Sequence, residues 1–217
     1  GGINDLQRFA LALLVIAVWQ LVFLLARAQP ISLSAAITAL SIAMLAPEEL
    51  GAVRLILGIS FGTVMGELVF GGWGRNVVNP ATVTLAFLGF GFPAYAWPEI
   101  IVPVAWAAIP AAVIGVMAGV MPAGLVLGAT IGAAVSLGFG VLPATVLPAA
   151  GVVLVLLVAD PVTSASTALG RWLNGLLFIA LVVLFATGWQ GAAPVQIAVA
   201  AALLASLAAP LLDELAL

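Results

Sequence analysis

Cysteine, histidine and lysine are all missing from the 217 residues, and charged side chains make up only 6% of the chain, five arginines against eight acids. Each absence closes off some chemistry. Without Cys there can be no thiol catalysis, no disulfide and no thiolate-bound zinc or iron–sulfur cluster, and without His there is no imidazole ligand for haem. No metal site is expected, and a redox cofactor held by this chain alone would be organic. No basic stretch exceeds one residue and the net charge is −3, so the electrostatic footprint needed for nucleic acid is missing and nucleic acid is excluded as a partner. Thirteen charges cannot coat a water-soluble surface, since ordinary soluble domains carry roughly a quarter charged residues.

What is abundant is apolar, 65% of the chain. Lipid is therefore the solvent for most of the surface, and the expected fold is all-α: a multi-pass transmembrane helical bundle, with residues 1–217 forming one membrane domain. A bilayer core of about 30 Å needs roughly 20 apolar helical residues. Nine segments are expected: Phe9–Ala26, Leu33–Ala46, Val53–Phe70, Pro80–Phe92, Ile100–Val120, Ala123–Gly140, Leu147–Ala159, Trp172–Thr187 and Val195–Leu212. The second, fourth and seventh are short for a full crossing. Flanked by Pro and Gly, they resemble half-spanning helices, which survive at membrane depth where protein or a wet cavity satisfies the backbone. Gly1 to Leu6 contain no basic region and no small-residue cleavage site, so the opening run reads as a retained helix, while a Gly-Gly start without Met leads to the expectation of a preceding tail.

Gly115, Gly119, Gly124, Gly128 and Gly132 recur about every four residues, a spacing that lets helices pack closely without any ligand. A weak internal repeat is also present. Ala46-Pro47 leads to Arg54 and Gly58 as Asp160-Pro161 leads to Arg171 and Gly175, and Gly72-Trp73 precedes Pro80 as Gly188-Trp189 precedes Pro194. Three correspondences in one order favour two copies, about 1–121 and 122–217. Segments one to four would match six to nine, an odd offset, so the copies would be inverted about an axis in the membrane plane. The five arginines are spread along the chain and give no positive-inside bias.

Two constellations bear on chemistry. In Phe70-Gly71-Gly72-Trp73-Gly74-Arg75-Asn76-Val77-Val78-Asn79-Pro80, three Gly in four positions permit a tight turn, and Asn79 before Pro80 is an N-cap followed by the favoured first helical residue. In Asp160-Pro161-Val162-Thr163-Ser164-Ala165-Ser166-Thr167, Asp160 is expected to cap a helix with four hydroxyls in its first turns. A carboxylate after an apolar run costs about 2.5–3.5 kcal/mol on insertion scales and needs pairing, solvation or a proton. Capping alone is the competing reading for Asn79 and Asp160. For Glu67 the competing reading is an acid at a helix end that reaches water or pairs with Arg75. Glu48, Glu49, Glu99, Asp213 and Glu214 lie at segment ends and need no ligand; Trp73, Trp97, Trp172 and Trp189 suit interfacial belts.

The run from Gly58-Ile59-Ser60-Phe61-Gly62 through Val69-Phe70-Gly71-Gly72-Trp73-Gly74-Arg75-Asn76 to Asn79-Pro80-Ala81, Phe87-Leu88 and Phe92-Pro93 resembles the NqrB/RnfD family of membrane subunits. Asp160-Pro161-Val162-Thr163 with Gly170-Arg171-Trp172 and Gly175 is similar to that family's second signature. The likeness runs over about Ser32–Pro93 and Gly151–Asp213. It implies a fold like the urea and ammonium transporters, a bacterial inner membrane location, and membership of a hetero-oligomeric, ion-motive redox complex whose membrane subunit holds flavin. Two departures stand out. The family esterifies flavin mononucleotide (FMN) to the Thr of a Ser-Gly-Ala-Thr loop, and between Pro93 and Glu99 that loop is missing; Gly128-Ala129-Thr130 lies within a helix, so no covalent FMN is expected. Glu67 stands where the family usually carries Lys.

The combined expectation is a subunit that binds a non-covalent flavin (riboflavin or FMN) or a quinone through Gly72, Arg75, Asn76, Asn79, Asp160, Thr163 and Ser164, at two half-helix N-termini that meet near the membrane middle. Glu67 and Asp160 would line an ion pathway. The alternatives are a channel or transporter for a small polar solute or ion, which the missing loop favours, and a non-redox scaffolding subunit.

Overall fold

The computed structural model describes residues 4–216; Gly1–Ile3, at the head of the opening run, and Leu217 lie outside them. Among the described residues every regular element is helical: α1 (Asp5–Arg27), α2 (Ala35–Leu45), α3 (Ala52–Gly66), α4 (Pro80–Gly91), α5 (Val102–Met117), α6 (Ala123–Gly138), α7 (Leu147–Val153), α8 (Ala168–Gly188) and α9 (Pro194–Leu215). A 3-10 turn, Leu68–Phe70, extends α3, and a π-helical turn, Leu154–Val158, extends α7. Among the described residues four stretches are long and apolar enough to cross a membrane: Asp5–Arg27, Ala52–Phe70, Ala168–Gly188 and Pro194–Leu215. This is a polytopic helical membrane protein. The three short segments of the sequence emerge as α2, α4 and α7 with its π turn, but α5 and α6 are also short, 16 residues each, because Ala118–Met121 and Phe139–Leu142 close into turns rather than continuing the helices.

Local chemistry sets the boundaries. Asn4 opens α1 with a capping box, its side chain accepting from Gln7 N at 2.8 Å while Gln7 Oε1 accepts from Asn4 N at 3.2 Å. Asn79 caps α4 and Pro80 occupies the first turn, where a missing N–H costs nothing.

The chain divides into two compact units, Gly1–Pro98 and Glu99–Leu217. In the first, α1 packs on α2 and α3, and α4 packs on α3 and α2. Gly62 is where α3 and α4 come closest: a Cβ there would collide with Thr84 Oγ1 and stand 2.7 Å from the Thr84 nitrogen. In the second unit α6 packs on α8, α8 on α9, and α7 on α9 and α5. The pairings of α1 with α3, α3 with α4 and α2 with α4 have counterparts in α6 with α8, α8 with α9 and α7 with α9, but the packing of α1 on α2 has no equally extensive counterpart between α6 and α7 among the described residues. Gly124, Gly128 and Gly132 form the face of α6 that meets Trp172, Leu176 and Ile179 of α8, as the small-residue spacing implied. Gly115 and Gly119 do not share that role. Gly115 meets Met121 of its own turn, and Gly119, at φ 70°, ends the helix with open space around it. Both units have alanine-rich interiors; Ala198, Ala201, Ala202, Ala205 and Ala209 are all buried along α9.

Candidate functional site

In the first unit the Gly-rich turn is held by backbone carbonyls, those of Glu67, Leu68 and Gly72. Glu67 ends α3, and its backbone oxygen accepts from Phe70 N and Gly72 N, both at 3.2 Å. Gly71, Gly72 and Gly74 then run at φ 108°, 96° and 92°, the left-handed region that a side chain resists. Over Gly72 and Gly74 the space where a Cβ would stand is open, whereas the Arg75 side chain folds back to within 3.2 Å of that point at Gly71. Arg75 and Trp73 are exposed. Glu67 is not: at 2% exposure its side chain is withdrawn into the unit, which corrects the reading of an acid reaching water.

Asn76 and Asn79 behave differently from one another. Asn79 is buried and its Oδ1 accepts from Ala81 N at 2.9 Å, the cap expected from Asn-Pro. Asn76 is 4% exposed; its Oδ1 accepts from Gly74 N at 3.2 Å, but its Nδ2 has no hydrogen-bond partner. Two residues into α4, the hydroxyl of fully buried Thr82 is likewise unpartnered. Buried polar atoms are nearly always satisfied, so such donors mark places where water or a ligand belongs.

In the second unit the expected helix start at Asp160-Pro161 is absent. The π turn ends at Val158, the chain leaves it through Ala159, and Asp160 closes a local turn, its Oδ1 accepting from Val162 N at 2.9 Å and its carbonyl from Ser164 N at 3.1 Å. Helix α8 begins only at Ala168, capped by Thr167, whose hydroxyl accepts from Gly170 N at 3.0 Å. The physical reason lies in the hydroxyl run: Asp, Ser and Thr side chains offer the backbone turn-forming bonds that compete with helix, so initiation waits for the last of them. The four hydroxyls therefore divide into two pairs. Thr163, 4% exposed, and Ser164 have unpartnered hydroxyls, while Ser166 and Thr167 donate to Asp213 of α9.

Sequence reasoning missed two charged residues. Arg8 of α1 is buried and donates through Nη1 to Ala46 O at 3.2 Å and through Nη2 to Pro47 O, clasping the end of α2. Asp213, which sequence position alone made unremarkable, accepts from both the amides and the hydroxyls of Ser166 and Thr167. In each case the partner lies some 40 residues away, so no local pattern announces it. Thr130 is an exposed residue of α6, its hydroxyl spent on Val126 O at 2.8 Å.

Residues 1–101 match the family described as NQR2, RnfD, RnfE, a span that contains the Gly-rich turn and all of α4. That span is just under half of the 217 residues and is similar to the family. Similar proteins include a Na(+)-translocating NADH-quinone reductase subunit of Yersinia pestis, 40% identical over 94 residues, 43% of this chain and 23% of that protein. The same subunit in Neisseria meningitidis serogroup A and in Stutzerimonas stutzeri is 37% and 34% identical, respectively, over spans of the same size. The matched segment is under a quarter of those relatives' length. It holds the turn whose open glycines and unpartnered Asn76 amide are described above, and stops well short of Asp160.

Proposed function

We propose that this chain is a membrane subunit of an ion-motive electron-transfer complex in the bacterial inner membrane, working beside other membrane subunits, and that it holds a non-covalent flavin (riboflavin or FMN) or a quinone. In the first unit, Gly72, Arg75, Asn76 and Asn79 are assigned to cofactor binding; in the second, Asp160, Thr163 and Ser164 are assigned as polar ligands. Glu67 and Asp160 are assigned to the ion pathway. The observation that carries the reading is the buried, partnerless Asn76 Nδ2 beside glycines with open space above them, in the segment similar to subunits of a Na(+)-translocating NADH-quinone reductase.

These residues fit such a group. Flavin and quinone headgroups present carbonyl acceptors, which an amide N–H satisfies, and their flat rings need a backbone stripped of Cβ atoms. The bound cofactor supplies the electron transfer. The chain's own part is to orient the ring through Asn76, to exclude water with the apolar walls of α3 and α4, and to favour added negative charge with the N-terminal dipole of α4. Asn79 keeps that helix end ordered.

The test is to purify the chain with its partner subunits from membranes, record the visible spectrum, and extract and weigh any quinone. Flavin absorbance in the blue or a stoichiometric quinone is expected, lowered about tenfold in occupancy by Asn76→Leu, as the loss of one buried hydrogen bond predicts. A purified complex with neither cofactor refutes the redox reading. A second reading, a channel or transporter for a small polar solute or ion, is favoured by the tight connection from α4 to Glu99, where Tyr95 N bonds Phe92 O at 3.3 Å and Glu48 N bonds Ala96 O at 2.7 Å, leaving no loop to carry a flavin. Solute flux through vesicles holding the chain alone supports that alternative.

A further inference from the structure

The Asp213 carboxylate is crowded with donors. Ser166 N lies 3.0 Å from Oδ1 and 2.8 Å from Oδ2, Thr167 N 2.9 Å from Oδ1, the Thr167 hydroxyl 2.7 Å from Oδ1 and the Ser166 hydroxyl 2.9 Å from Oδ2. Two carboxylate oxygens offer about four acceptor positions, and two amides with two hydroxyls fill them. The surroundings are shaped to the contact. A Cβ on Gly170 would stand 2.6 Å from Asp213 Oδ1 and collide with Thr167 Oγ1, so glycine is what lets the carboxylate reach the amides. From the other side Arg171 Nε donates to Ala165 O at 3.3 Å, fixing the residue just before the clasped pair.

Position gives this clasp its meaning. Ser166 and Thr167 follow, across Ala165 alone, Thr163 and Ser164, the two residues whose hydroxyls are left without partners, and they precede the first turn of α8. Their amides would otherwise be loose donors at the end of an irregular segment. Held by a charged acceptor they are fixed to α9, and the segment between Asp160 and Thr167 is tied at both ends, by the Asp160 turn and by Asp213.

We propose that Asp213 is a positioning residue: it pins Ser166 and Thr167 to the end of α9 and so sets where the Thr163 and Ser164 hydroxyls lie. Its carboxylate is a fixed clamp, with no acceptor position spare for a passing cation. The inference rests on the proposal above that Thr163 and Ser164 touch the ligand, and the test separates the two.

Hydrogen–deuterium exchange is measured on the full chain in its complex, with riboflavin titrated as the probe. Asp213→Asn, which replaces one acceptor by a donor, is expected to speed exchange at Ser166 and Thr167 by about tenfold or more, the scale of a lost charge-assisted bond, and to weaken riboflavin binding. Asp213→Glu, which keeps the charge, restores most of the affinity. Gly170→Ala, which pushes a methyl group against the Asp213 carboxylate while leaving residue 213 unchanged, reproduces both losses and serves if Asp213→Asn does not assemble. Unchanged exchange at Ser166 and Thr167 overturns the clamp. Faster exchange with unchanged riboflavin affinity, while Thr163→Val still weakens it, overturns the positioning role. If Thr163→Val and Ser164→Ala leave riboflavin affinity intact, the site reading fails and the positioning role falls with it, whatever the exchange shows.

Discussion

The turn from Glu67 to Asn79 follows α3 and the turn from Asp160 to Thr167 follows the π turn of α7, and they are made in opposite ways. The first is a backbone construction, with three glycines at positive φ and one carbonyl, that of Glu67, gathering two amides. The second is a side-chain construction, in which Asp160 and Asp213 gather amides and hydroxyls and no glycine lies between Asp160 and Thr167. A backbone turn fails when atoms are added; a side-chain turn fails when acceptors are removed. Both leave a few buried polar atoms unpartnered, Asn76 Nδ2 in one, Thr163 and Ser164 hydroxyls in the other.

That contrast can be broken by experiment. The largest effect is expected where the first unit tolerates no added atom. Gly62→Val places methyl groups into Thr84 and the start of α4, and a loss of about 3 kcal/mol or more, or no accumulation of folded protein, should appear in thermal unfolding in detergent. Gly71→Ala should cost less, about 1–2 kcal/mol, for an L-residue at φ 108° with Arg75 close by. A midpoint unchanged by Gly71→Ala would mean that the turn relaxes easily and is not fixed by its backbone.

The caps sharpen the comparison further. Asn79→Ala should cost about 0.5–2 kcal/mol and Asn79→Ser should recover most of it, because Asn79 caps a true helix. Asp160→Ala removes no helix cap, since Thr167 holds that place, so its effect on cofactor or ion binding should exceed its effect on the unfolding midpoint. Equal, Ser-rescued losses at both positions would erase the distinction. The smallest effect is expected at Thr130, exposed and bonded within its own helix: Thr130→Ala should shift stability by less than about 0.5 kcal/mol and leave the intact mass of the purified chain free of any flavin difference.

How much of this was legible follows from how local each determinant is. Asn79-Pro80 was readable because a cap and a first-turn proline act within four residues. The short α2, α4 and α7 were readable from run length, and the α6 glycines from their spacing. Asp160 misled because Asp-Pro has the same local form as Asn-Pro, and the choice between them was made by hydroxyls further along and by a carboxylate 46 residues beyond Thr167. Arg8 and Asp213 were invisible for the same reason. Their roles exist only once α2 has turned back on α1 and α9 on α8, and a single charge in an apolar run carries no address for its partner.

The Arg8 clasp also bears on the order in which the protein is made. Its acceptors, the carbonyls of Ala46 and Pro47, leave the ribosome 38 and 39 residues after it. At about 5–20 residues per second the guanidinium waits roughly 2–8 s for those carbonyls, with Asp5 of its own helix as a nearby counter-charge. A bare cation does not enter hydrocarbon cheaply, so for that interval the start of α1 is tethered to water or to lipid phosphate. Only when α2 has packed back on α1 does the tether release, which makes the turn at Ala46-Pro47 the event that lets the first helix settle to its final depth.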